Sequence, residues 1–200
     1  TVELDNVEFI YPASSTPSLN GINLTIAAGE ITALIGPSGS GKTTTVDILL
    51  SLLSPTSGNV KVNGINVSDV IGQWRNCLAY VPQQVYVSDD TLRRNVAFAL
   101  PDKDIDDARV IQALRDAKLD HLLDDLPGGL SATLGENGRR LSIGQQQRIG
   151  IARALYEQPE FLVLDEATSA LDVEVEQEIV SVLENLRDSL TIIVIAHRLS

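Results

Sequence analysis

A single cysteine, Cys77, leaves no internal disulfide possible, which agrees with a reducing compartment. Cys77 lies in the apolar stretch Cys77-Leu78-Ala79-Tyr80-Val81 and reads as a small buried core residue. Methionine is absent, and the chain begins at Thr1 and stops at Ser200 just past an apolar run, so it reads as a piece of a longer polypeptide. No run approaches the ~18 apolar residues that a membrane-spanning helix requires, and no signal peptide opens the chain. Positive charge is scarce: 15 Lys and Arg stand against 27 Asp and Glu, a net charge of −12. Such a surface repels nucleic acid and anionic lipid headgroups, which excludes broad electrostatic binding to either. It does not exclude a small basic pocket, which is all that a nucleotide needs. Internal repeats and low-complexity segments are also missing.

The 200 residues, 44% of them hydrophobic, suffice for one large domain or a domain with sub-lobes. Two β-like runs, Val2 to Ile10 and Ile22 to Ile26, open the chain. Ile31-Thr32-Ala33-Leu34-Ile35 is a continuous apolar run of the kind that forms a buried parallel strand. After a glycine-rich turn, Val46, Leu49, Leu50 and Leu53 recur at helical spacing from Lys42 to Leu53, and Pro55 closes the element. Asn59 to Ile65 reads as a strand with a turn at Asn63-Gly64. The middle third is leucine-rich and helical, with Val110, Ile111 and Leu114, then Leu119, Leu122, Leu123 and Leu126, on helical faces. The last third returns to alternation: strand Phe161 to Leu164, helix with Val175, Ile179, Val182 and Leu186 on one face, strand Thr191 to Ala196. Strand, helix, strand at this spacing implies a parallel sheet with right-handed crossovers. The expectation is an α/β fold: a parallel-sheet core with an antiparallel β edge lobe, together about 1–84 and 156–200, and an inserted helical lobe (about 85–155).

Gly36-Pro37-Ser38-Gly39-Ser40-Gly41-Lys42-Thr43 matches G-x-x-x-x-G-K-[ST]. The glycines let backbone N–H groups approach phosphate oxygens, and the helix that follows adds its positive N-terminal end. Gly36, Ser38, Gly39, Ser40, Gly41, Lys42, Thr43 and Thr44 are the expected phosphate contacts. Lys42 reaches the β- and γ-phosphates, and the Thr43 hydroxyl holds Mg²⁺. A turn without ligand would not need a buried strand before it and an amphipathic helix after it; both are present here.

Phe161-Leu162-Val163-Leu164 ends in Asp165-Glu166, an apolar strand delivering carboxylates to the crevice where α/β sheets bind ligands. Asp165 is expected to complete Mg²⁺ binding through water, and Glu166 to polarise an attacking water. Taken alone the two would read as solvated charges; the phosphate loop gives them their role. Ser142 and Gln145, in Leu141-Ser142-Ile143-Gly144-Gln145-Gln146-Gln147-Arg148, form the S-x-x-Q capping box of a helix that Ile149, Ala152 and Tyr156 continue.

Together these motifs resemble, over essentially the whole chain, the nucleotide-binding domains of ATP-binding-cassette (ABC) proteins. Leu141 to Arg148 resembles the family signature, with Ile143 standing where a glycine is usual. The resemblance implies that Ser142, Gly144 and Gln145 face the ATP held by a second nucleotide-binding domain. It implies that Tyr11 stacks on adenine, that Gln83 touches Mg²⁺ and the attacking water, that Asp172 crosses the dimer interface, and that His197 contacts the γ-phosphate. His121 matches nothing in the family. ATP and Mg²⁺ are the implied cofactors. The wording Asp165 to Asp172, together with Thr91 to Val96 and Leu134 to Gly138, resembles exporters in which this domain follows a membrane-spanning domain in the same chain, at the cytoplasmic face. Asn137 replaces the basic residue usual in the last of these segments. Family members also continue past the histidine, so the chain reads as truncated shortly after His197. The alternatives are a soluble ABC ATPase of DNA repair or cofactor assembly and a non-hydrolysing regulatory domain. Only 58 residues separate Gln83 from Ser142, too few for the long helical insertion of coiled-coil repair proteins. Retention of Lys42, Asp165, Glu166 and His197 argues against the regulatory reading.

Overall fold

A computed structural model describes residues 1–165 and 173–196. Its elements are β1 (Val2–Phe9), β2 (Leu19–Ile26), β3 (Ile31–Ile35), α1 (Lys42–Leu49), β4 (Ser57–Val62), β5 (Ile65–Asn66), α2 (Ile71–Asn76), β6 (Leu78–Val81), α3 (Leu92–Val96), α4 (Asp107–Asp116), α5 (Leu122–Asp125), α6 (Ile143–Tyr156), β7 (Phe161–Asp165), α7 (Val173–Leu186) and β8 (Thr191–Ala196). They fall into two compact units. The first holds 1–78, 160–164 and the described residues from Arg187 on; the second holds 79–159 and 165–186.

In the first unit an antiparallel sheet runs in the order β2-β1-β4-β5. β1 pairs on one side with β2, Val2 opposite Ile26, and on the other with β4, Val2 opposite Val62. Both ladders slip around Asn6, whose φ of 48° marks a bulge. A second sheet carries β3, β8 and β7 side by side in that order. β3 and β8 are parallel and in register from Ile31 opposite Ile192 to Ile35 opposite Ala196. The strand ending in Asp165 is thus one strand removed from the one preceding the phosphate loop.

The core of this unit joins Leu4, Val7 and Ile26 from the antiparallel sheet, Ile48 and Leu49 from α1, Trp74 from α2, and Phe161 and Ile193 from the parallel sheet. Trp74 is buried against Phe161 at 5.3 Å between ring centroids, and its indole N–H donates to the Leu49 carbonyl at 2.8 Å. That carbonyl belongs to the last turn of α1, where no intrahelical donor serves it. Trp74→Phe should therefore cost about 1–3 kcal/mol, the penalty of stranding one buried acceptor. A urea melt that leaves the midpoint unchanged would dismiss the bond as a stabilising one.

Three sequence expectations need correction here. β3 is not fully buried here: it stands last in the strand order among the described residues, Ile31 and Ile35 are 36% and 45% exposed, and its Leu34 packs on the core. The helix begun at Lys42 stops at Leu49 instead of reaching Leu53, since Ser51 turns left-handed at φ 57°. Cys77 is only half buried, and its thiol faces the Glu160 carboxylate at 3.8 Å. Burial and then that carboxylate push the thiol pKa up, which holds it as an unreactive thiol.

In the second unit α6 packs against α3, α4 and α7. Val110, Leu114, Leu119, Leu122, Ile149, Ala152, Ile179 and Val182 fill its interior, the helical periodicities read from the sequence. Arg148 is buried, but its charge is matched: it pairs with Glu178 at 2.9 Å and donates to the Lys118 carbonyl at 3.0 Å. Asn95 is a second buried polar hub, accepting from the Ser88 N–H and donating to the Ser88 and Thr91 carbonyls. Among the described residues no helix is long and apolar enough to cross a membrane.

Candidate nucleotide site

In the first unit β3 delivers Gly36 and α1 begins at Lys42, so the phosphate-loop residues lie between a strand and a helix N-terminus. Gly41, at φ 90° and ψ 4°, is the N-cap. A Cβ at Gly36 would meet Ser40 Oγ at 2.7 Å, and one at Gly41 would meet the Ser18 carbonyl oxygen at 2.8 Å. At Gly39, φ 80°, nothing lies within 4 Å. The loop is thus tight where it turns and open at its crest, with Ser38, Gly39 and Ser40 all exposed. Lys42 folds its ammonium over the loop, donating to the Gly36 carbonyl at 2.7 Å and the Pro37 carbonyl at 3.0 Å. A cation, an exposed stretch of loop backbone and a helix N-terminus meet here, the chemistry a polyphosphate requires.

Thr43 is exposed, whereas Thr44 and Thr45 are buried. Thr45 donates back to the Gly41 carbonyl at 2.9 Å, and Thr44 shares a hydrogen bond of 3.2 Å with the Tyr11 hydroxyl. Tyr11 stands edge-on to Phe9 at 4.8 Å and keeps 38% of its surface exposed. Its phenol is tied down while its ring stays open to a planar partner. Stacking of a base on an aromatic ring contributes ~1–3 kcal/mol, so Tyr11→Ala should weaken ATP binding about ten- to a hundredfold. Inorganic triphosphate affinity should not change. Equal ATP affinity in the variant, read by calorimetry, would reduce Tyr11 to a packing residue.

In the second unit β7 ends in Asp165, and the Tyr80 hydroxyl donates to its Oδ2 at 3.0 Å. Sequence reasoning missed Tyr80; its position in an apolar run gave no signal of the partner. Thr43 in the first unit and Asp165 in the second each offer the hard oxygen that Mg²⁺ takes. Gln83 is exposed just after β6, and Gln147 on α6 donates to the neighbouring Pro82 carbonyl at 3.4 Å, fixing the start of that segment.

The capping box is formed as read: the Ser142 N–H donates to Gln145 Oε1 at 2.9 Å and the Gln145 N–H to Ser142 Oγ at 3.2 Å. Ser142 stays exposed at the N-terminus of α6, and Ile143 projects with 69% of its surface exposed. Gly144 is a packing requirement, since a Cβ there would stand 2.5 Å from Val175 Cγ1 on α7. Glu166, Asp172 and His197 lie outside the described residues.

The fold and this loop define a P-loop ATPase domain. The profile of the ABC transporter family matches residues 19–169, and the chain belongs to that family, carrying its ATPase domain. It is 44% identical over 198 residues to the ATP-dependent lipid A-core flippase of Cupriavidus pinatubonensis, covering 98% of this chain and 34% of the flippase. It is 46% identical over 201 residues to the protein of that name from Burkholderia orbicola, covering 100% of this chain and 33% of the relative. A solved structure of a bacterial Atm1-family ABC exporter with ATP bound superposes with a TM-score of 0.84 at 36% identity, covering 98% of this chain and 34% of that one. The chain thus spans about a third of the length of these relatives.

Proposed function

We propose that this chain is the energy-converting domain of a membrane exporter, in which Mg-ATP joins two such domains head to tail and hydrolysis releases them. The observation that carries the reading is the likeness, along almost the whole chain, to an exporter solved with ATP bound. A membrane-spanning domain N-terminal in the same full-length protein, with this domain at the cytoplasmic face, accounts for the remaining two-thirds of the relatives' length.

In this reading Tyr11 stacks on adenine, and Lys42 with the loop amides from Gly36 to Thr44 holds the phosphates. Thr43, Asp165 and Gln83 hold Mg²⁺, which when bound neutralises charge on the transferred phosphoryl group. Tyr80 fixes the Asp165 carboxylate through the bond seen here. Glu166 orients and polarises the attacking water, and His197 contacts the γ-phosphate. The second domain supplies Ser142, Gly144 and Gln145 at the positive end of α6, and Asp172 crosses between the two. The surface charge of −12 opposes association, so the domains stay apart until the nucleotide bridges them.

The test is crosslinking between cysteines introduced at Ser38 and Ile143, in a Cys77→Ser, Glu166→Gln background. Crosslinks between chains that depend on Mg-ATP are expected. Their absence at saturating Mg-ATP, with binding confirmed, would overturn the shared site.

A further inference from the structure

His121, which has no counterpart among the motifs, stands against the signature turn. Its backbone is fixed: the His121 carbonyl accepts from the N–H groups of Asp124 at 3.1 Å and Asp125 at 3.0 Å, and Leu119 and Leu122 on either side are buried. From this turn its imidazole Nε2 lies 3.5 Å from Gln145 Nε2. The Gln145 amide has no choice of orientation, because its Oε1 already accepts from the Ser142 N–H. Its Nε2 can therefore only donate toward the ring. The contact is favourable when His121 Nε2 is an unprotonated acceptor, with the proton on Nδ1, and unfavourable when the ring is protonated and two donors meet.

We propose that His121 is a positioning residue for the signature turn: neutral, it holds the Gln145 amide so that the capping box keeps Ser142 aimed outward, and protonated, it releases it. This rests on the shared-site reading for its functional consequence, though not for the contact itself. Histidine rings change charge between pH 5 and 8, and a second effect has the same sign. A cation beside the positive N-terminal end of α6 destabilises that end. The segment of His121 itself carries Lys118, Asp120, Asp124 and Asp125, the stretch leading into α6 carries Glu136, Arg139 and Arg140, α6 itself carries Arg153 besides Arg148, and Arg148 faces Glu178 on α7. The last two are paired with each other. The 3-10 turn at residues 129–131 has none.

The experiment has two arms. In the first, the Gln145 side-chain amide and Ser142 backbone amide are followed by ¹H–¹⁵N NMR of the 200-residue chain across pH 5 to 8. Both should shift with the midpoint read from the His121 ring signals, and the shift should vanish in His121→Gln. In the second, ATP turnover is measured over the same range. The ratio of wild-type to His121→Gln turnover should fall about two- to fivefold toward acid, the range that one exposed hydrogen bond supports. Glutamine keeps an acceptor that does not titrate, so this variant should match wild type at high pH, while His121→Leu should be slower than wild type at high pH and converge on it toward acid. Gln145 and Ser142 signals indifferent to the His121 titration would overturn the proposal, as would His121→Leu with the wild-type rate and pH profile. The first arm needs neither ATP nor a second chain. Absent turnover in every variant, wild type included, with the amide coupling intact, would instead overturn the shared-site reading.

Discussion

Glu166→Gln is expected to lower ATP turnover by about 10²–10⁴-fold, the contribution of one positioned general base, while leaving Mg-ATP binding near wild type. Glutamine keeps the size and the hydrogen-bonding reach of the side chain but cannot draw a proton from water. Phe161 to Leu164 are all buried, and the carboxylate that ends their strand, Asp165, is held by Tyr80. With hydrolysis stopped and binding intact, the ATP-joined dimer should accumulate and be visible by size-exclusion chromatography. Lys42→Ala should fail differently. It removes the cation that lies over the loop at Gly36 and Pro37, so binding and hydrolysis are lost together and no dimer builds up. Phosphate release by Glu166→Gln at the wild-type rate would remove the residue from the mechanism.

What could be read from the sequence was what local chemistry fixes. The capping box at Ser142 and Gln145 is a four-residue pattern with one geometric solution, and it is formed as read. The buried faces of α6 and α7 follow from 3.6-residue spacing, and the parallel strands from their apolar runs. What could not be read depends on which elements end up as neighbours. Hydropathy gives Ile31 to Ile35 the look of a central strand, but position in a sheet is a property of strand order, and among the described residues β3 stands last with Ile35 half exposed. The helix stop at Leu49 is set by a left-handed serine, which no propensity marks. Tyr80 and Asp165 are 85 residues apart in sequence, and a tyrosine in an apolar run is by default packing. His121 is illegible in the sequence for the same reason: the side chain it stands against, Gln145, lies 24 residues away.

Gly41→Ala should destabilise the fold and abolish tight ATP binding together, and a comparison with Gly39→Ala separates the two effects. Both glycines sit at left-handed φ, 90° and 80°, so each alanine carries the left-handed backbone cost of roughly 1–2 kcal/mol. At Gly39 that is the whole structural cost, because a Cβ there meets nothing within 4 Å. At Gly41 the new Cβ would stand 2.7 Å from Leu19 Cδ2 and 2.8 Å from the Ser18 carbonyl oxygen. Neither can give way easily. Leu19 is 2% exposed within the core, and Ser18 is anchored by its N–H to the Phe9 carbonyl at 2.8 Å. Overpacking of this kind adds about 1–3 kcal/mol. In a chain of this size each kcal/mol lowers Tm by roughly 2–4 °C. Gly41→Ala should therefore melt roughly 4–20 °C below wild type, the range of the summed costs, and the displaced N-cap should no longer present the first amides of α1. Gly39→Ala should lose only a few degrees by the same scale, yet its methyl group projects from the open crest where phosphate must approach, so ATP affinity should fall at least about tenfold. Differential scanning fluorimetry with and without Mg-ATP reads both quantities in one experiment. A Gly41→Ala protein with the wild-type melting temperature and the wild-type ATP shift would mean that the strain at α1's N-cap is not what shapes this loop.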